Sequence, residues 1–182
     1  MSSLKVYSID SAPEKSKPVL GTIKETFGFV PNVAGVMSGS PTLIGGFMPL
    51  FQHVHGGTFT EPQIQTVLLT NAVTNKSVWP ATFHTYLALE AGVPKSEVDA
   101  IRAGSLPMDA KLAALSNLAR NLIEKKGHVP EDVLKTFKDG GFADEHVLEV
   151  IAIVAASAMT NYSSTVGQPP LEETFVQHRW NG

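Results

Sequence analysis

The chain has 182 residues, of which 43% are hydrophobic and 17% charged, with a formal net charge of −3 and no cysteine. That length fits one compact domain, 1–182, with 1–13 and 169–182 as irregular ends. The absence of cysteine excludes disulfides, thiolate metal sites and thiol nucleophiles. The negative charge, with no basic cluster beyond Lys125-Lys126, argues against a nucleic-acid partner.

In chain order, helical spacing recurs throughout and strand-like alternation is nearly absent. From about Glu14 to Phe27, Val19, Leu20, Ile23 and Phe27 fall on one stripe, and Gly28 can end that helix. Pro31 opens a short helical piece. Ser40-Pro41 reads as an N-cap with proline at the first helical position, starting a helix through Phe47 and Phe51 that Pro49 is expected to kink and Gly56-Gly57 to stop. Thr60-Glu61-Pro62-Gln63 has the form of a capping box, with an acid in the first turn to suit the helix dipole. Ile64, Val67, Leu68, Asn71 and Ala72 follow at helical spacing. The segment SVWPATFHTYLALEAG is the next helix, ended by Gly92 and barred from continuing by Pro94.

Beyond it lie a short helix in SEVDAIRAG, an amphipathic helix from Asp109 to Lys126 and a short helix from Pro130 to Phe137. A long apolar helix then runs from Asp144 to about Asn161, for which burial on every side is expected. The tail from Gln168 reads as irregular, with one short helix. The longest apolar stretch, Val147 to Met159, is short for a membrane span and interrupted by Glu149. The N-terminus has no signal-type apolar run, so a cytoplasmic chain with no membrane association is expected. The runs from Phe59 and from Phe142 share a Phe, an acidic first turn and apolar spacing, compatible with two similar helical halves or with two buried helices that share a cap type.

The stretch TNAVTNKSVWPATFHTYLALEAG, with FGFVPNVAGVMSGSPTLIGGF and FTEPQIQTVLLT before it, resembles the alkyl hydroperoxidase D-like, or carboxymuconolactone decarboxylase, superfamily over roughly Phe27 to Gly104. Redox members carry Asn-x-Cys-x-x-Cys-x-x-x-His and a helix-ending Gly, with a Glu twelve residues before the first Cys. On this chain Asn75 and Gly92 match. Ser77 and Pro80 stand at the two Cys positions, Gln65 at the Glu, and only His84 is retained. A CxxC at a helix start works because the dipole and free N–H groups lower a thiol pKa. A serine hydroxyl stays protonated without a base, proline has nothing to titrate, and a glutamine cannot shuttle protons.

The resemblance implies an all-α, multihelical fold in which Gln65 and His84 come from neighbouring antiparallel helices. It also implies a homo-oligomer (dimer, trimer or hexamer). His84 is the candidate catalytic residue, as general base or hydrogen-bond donor, with Gln65 and Ser77 positioning a small-molecule ligand and Trp79 and Phe83 (with Tyr86) as apolar walls. Each has a plainer reading: His84 as a retained core histidine, Ser77 as an N-cap, Gln65 as a polar helix residue, the aromatics as core. Ser77 and His84 lie about 10 Å apart along a helix, too far to form a nucleophile–base pair. His53 and His55, two apart on a helix, do not face one another, and with no carboxylate recognised to complete a ligand set they read as surface or interface histidines. No metal and no cofactor are expected. Two functions follow: an enzyme acting on a small organic acid or lactone without thiol chemistry, or a non-catalytic oligomeric binding or scaffold protein.

Overall fold

The computed structural model describes residues 4–182, which form nine α-helices, two 3-10 helices and no strand. The α-helices are α1 (Lys17–Phe27), α2 (Asn32–Met37), α3 (Pro41–His55), α4 (Glu61–Thr74), α5 (Val78–Glu90), α6 (Lys95–Arg102), α7 (Ala110–Glu124), α8 (Glu131–Asp139) and α9 (Asp144–Gly167). Helix ends follow the local chemistry. Gly28 closes α1 in the left-handed region at φ 79°, where a side chain would be strained. Ser40 caps α3 by accepting from the Leu43 N–H at 3.2 Å, and the Gln63 side chain accepts from the Thr60 N–H at 2.9 Å to open α4.

Helix α4 is the centre of the bundle. Nine of its residues, from Ile64 to Ala72, are buried, and it packs on α5, α6, α7 and α9. Two large cores flank it. One gathers Phe59, Leu68, Leu118, Phe137 and Phe142 with Val150 and Ile153 of α9. The other gathers Leu20, Ile23, Met37 and Ile44 with Trp79, Phe83 and Phe175.

Three expectations are corrected. The 3-10 helix Glu14–Ser16 takes the place of the first turn of α1. Helix α3 runs unbroken through Pro49; Gly45, whose carbonyl Pro49 leaves without its N–H partner, lies with it on the exposed side, where water can take that place. As expected, the tail is irregular apart from one short helix, the 3-10 helix Glu173–His178; Arg102 donates to the carbonyls of His178 and Arg179, and the Trp180 indole donates to the Arg102 carbonyl at 2.9 Å.

The third correction concerns α9, which is longer than expected at 24 residues and is not buried all round. Leu148, Ile151, Tyr162 and Val166 are exposed along one stripe, because the helices packed on α9 leave that side uncovered. By length and composition α9 could cross a membrane, contrary to the reading of Val147 to Met159 as too short. Its contacts with α2, α3, α4, α5 and α7 make it a bundle helix. The helices α4 and α9 also begin alike. As Gln63 does for Thr60, the His146 Nδ1 accepts from the Ala143 N–H at 2.8 Å, and the rings of Phe59 and Phe142 meet edge to face at 5.8 Å.

Candidate functional site

The short connection Asn75–Ser77 turns α5 back along α4, so the start of one helix faces the body of the other. Across that contact His84 Nδ1 lies 2.9 Å from Gln65 Oε1. One turn earlier on α4, Glu61 Oε1 accepts from Gln65 Nε2 at 2.6 Å. The second oxygen of Glu61 lies 3.0 Å from Nδ1 of His55, at the end of α3. A single chain of contacts therefore runs His55–Glu61–Gln65–His84, from the half-buried end of α3 into the interior.

His84 borders an apolar cavity of about 60 Å³ between the two cores. Its walls include Phe27, Met37, Phe51, Trp79, Phe83 and Ala156, and its polar lining comes from His84, His55, Ser157 and Thr160. No Lys, Arg, Asp or Glu lines it. The aromatic rings are in mutual contact, Trp79 with Phe83 at 5.0 Å, Phe27 with Phe83 at 6.0 Å and Phe51 with His55 at 4.3 Å. Such a wall excludes water and leaves a few oriented polar atoms to select a ligand.

The electrostatics follow from burial and charge. Burial pushes the His84 imidazole down to about 3, the nearby His55 adds to this and Glu61 opposes it, so His84 is neutral at physiological pH. The hydrogen bond from His55 holds the Glu61 carboxyl below the usual range against the opposing effect of burial, and Gln65 contributes in the same direction. Glu61 is therefore an anion that accepts only. Among the described residues, no group of three or more His, Asp or Glu is arranged to hold a metal.

The structure brings His84, Trp79 and Phe83 to the cavity. Gln65 is buried behind His84 and holds it. Ser77 points elsewhere: although it occupies the N-cap position of α5, its Oγ donates to the Asn161 carbonyl at 3.1 Å and not to its own helix, and it lies off the cavity lining. Tyr86 packs on Phe175 and His178, outside the cavity. Two residues escaped the sequence reading. His55, expected at the surface or an interface, is partly exposed but also lines the cavity, and its carboxylate partner is Glu61, only six positions on. The spacing of Glu61 and Gln65, four apart on a helix, was the available signal.

No protein-family model and no curated protein matches the chain. Solved structures do. An uncharacterized peroxidase-related protein from Ralstonia eutropha, described as an alkylhydroperoxidase AhpD core, is 17% identical with a TM-score of 0.82, over 96% of this chain and 94% of that one. The chain has an alkylhydroperoxidase D-like fold. A second peroxidase-related protein, from a Silicibacter species, is 14% identical with a TM-score of 0.77, over 95% and 93%. The debrominase Bmp8, as a Cys-to-Ala variant in complex with 2,3,4-tribromopyrrole, is 16% identical with a TM-score of 0.74, over 91% and 89%. Of the two residues that the sequence resemblance sets at its cysteine positions, Ser77 is turned toward α9 and Pro80 stands in the cavity wall.

Proposed function

We propose that this cysteine-free, alkylhydroperoxidase D-like chain uses His84 as a proton acceptor for a small, uncharged cyclic compound held in the cavity. The observation that carries this is a neutral imidazole, pushed down to about 3, in the lining of an apolar chamber that holds no charged residue. A base of that kind accepts a hydrogen bond or a proton without first losing one. An organic acid would enter as a carboxylate and find no cation in the lining, so the lactone-like, neutral side of the expected ligand class fits better. The cavity holds only a few waters as it stands, but Met37 and Met48 in its wall are unbranched and can yield to a small ring. The debrominase of like fold is described with a small uncharged heteroaromatic, which supports the same size and polarity.

Thiol chemistry has no part in this reading. Peroxide consumption by the purified protein, without added thiol carrier or metal, is expected at background, and activity above background would contradict it.

The decisive test is thermal shift with phenol and with benzoate, on the wild type and on His84→Ala. A ligand that binds only the folded state raises Tm as its concentration passes Kd. Phenol is expected to raise the wild-type Tm, benzoate to leave it unchanged, and His84→Ala to lose the phenol response with its helical circular dichroism intact. Stabilisation by benzoate above that by phenol would overturn the reading. Tight binding of neutral rings with no turnover of any would favour the non-catalytic binding protein.

The same reading takes the chain as a homo-oligomer through α9. The exposed Leu148, Ile151, Tyr162 and Val166 form a stripe that a second copy of the same helix would cover.

A further inference from the structure

We propose that Glu61 fixes the tautomer of His84 and thereby makes the cavity selective for ligands that donate one hydrogen bond. The inference rests on the proposed His84 pocket and names the ligand class it takes. The side chain between Glu61 and His84, Gln65, can face either way. A glutamine amide presents two donors at one end and an acceptor at the other, and burial holds Gln65 between Glu61 and His84. An ionised carboxylate accepts only, so the amide nitrogen must face Glu61, which it does at 2.6 Å. The amide oxygen is then left to face Nδ1 of His84 at 2.9 Å. An oxygen cannot donate, so Nδ1 must carry the proton.

In a neutral imidazole one nitrogen carries the proton and the other a lone pair. With Nδ1 protonated, the lone pair belongs to Nε2, on the opposite edge of the ring, which has no hydrogen-bond partner among the described residues. Any group placed against it must be an N–H, an O–H or an acidic C–H. A ligand that offers only an oxygen acceptor sets two lone pairs against each other in a dry site, and buried polar groups left unpaired are what give such sites their selectivity. His55 steadies the lock from outside by occupying the second oxygen of Glu61 at 3.0 Å. Glu61 touches neither ligand nor cavity and acts as a positioning residue. With Glu61 removed, Gln65 is free to turn its nitrogen to Nδ1, and the proton moves to Nε2. The pocket would then present a donor and favour acceptors.

The test combines a readout that needs no ligand with a matched pair of probes. Long-range proton–nitrogen NMR identifies which ring nitrogen of His84 is protonated in the wild type, in Glu61→Ala and in Gln65→Leu. The probes are pyrrole and furan, rings of nearly the same shape that exchange an N–H donor for an oxygen acceptor. Their affinities are read from the shifts of His84 and of the Trp79 indole. The wild type is expected to be protonated at Nδ1 and to bind pyrrole at least tenfold more tightly than furan. Glu61→Ala and Gln65→Leu are expected to move the proton toward Nε2 and to bring that preference below about threefold. A His84 protonated at Nε2 in the wild type, or at Nδ1 in all three proteins, would overturn the lock. Equal affinity for furan and pyrrole in the wild type would overturn the selectivity. If the tautomer responds as expected while neither probe moves either residue, the lock stands and the ligand pocket of the preceding section falls.

Discussion

His84 on α5 and Gln65 on α4 meet through Nδ1 and Oε1 at 2.9 Å, with the glutamine itself held by Glu61 one turn away. At the position where the sequence resemblance implies a carboxylate this chain has Gln65, and its carboxylate, Glu61, lies one helical turn earlier. The displacement keeps a negative charge near the histidine but interposes an amide that cannot pass a proton. The histidine is thereby oriented without being charged.

Gln65→Glu should therefore raise the pKa of His84. A carboxyl at position 65 adds negative charge beside Nδ1–H, and its repulsion with Glu61, four residues away, does not reverse that direction. An NMR titration of the His84 ring is the check. The variant is expected to titrate at higher pH than the wild type, and an unchanged titration would contradict the contact.

The depressed pKa of His84 also sets a pH dependence of stability. Between the ordinary value of 6.5 and about 3, the unfolded chain binds a proton that the native chain does not. Stability is thus complete above 6.5 and falls as the pH drops through that window, with about 1.4 kcal/mol for each unit of difference. Denaturant unfolding at pH 7 and pH 4.5 should show the wild type losing roughly 2.6 kcal/mol more than His84→Gln on acidification. Equal losses would place His84 in a solvated environment.

Much of this architecture is legible in the residues themselves. Gly28, Ser40-Pro41 and the Thr60–Gln63 box state helix ends through local chemistry, and the placement of Gln65 and His84 on neighbouring antiparallel helices was implied by the family resemblance, while their contact was not read. Glu61 was legible only as a first-turn acid, because its second role depends on where the end of α3 arrives. His55 was hidden for the same reason, since no local rule brings the end of one helix to the start of the next. The exposed stripe of α9 was illegible because a helix apolar on all sides has no periodicity to say which side faces out. The tail was legible as irregular with one short helix, but what holds it was not, because Trp180, Arg102 and Glu172 do so through contacts distant in sequence.

Glu172 accounts for much of that hold. Its two oxygens accept from the Asn32 N–H at 2.6 Å and from the Trp79 indole at 3.0 Å, while burial pushes its pKa up against both bonds. Glu172→Ala leaves both donors unpaired and is expected to cost about 1–2 kcal/mol. Hydrogen exchange should quicken over residues 173–180 and leave α7 and α8 unaffected. Unchanged exchange would mean that Arg102 and Trp180 suffice.

The stripe on α9 predicts the assembly. Ile151→Asp with Tyr162→Glu places two charges on it without entering the core, so light scattering after size exclusion should show a smaller species than the wild type, with the same circular dichroism. A wild type that is already monomeric would overturn the oligomer proposal.

The central claim is that the neutral His84 receives an uncharged ligand in the apolar cavity, and a crystal soaked in phenol tests it most directly. The account predicts a ring among Phe83, Trp79 and Met37, with its hydroxyl about 2.6–3.0 Å from Nε2 of His84. Phenol bound elsewhere while that cavity stays closed, or a hydroxyl turned away from His84, would contradict it.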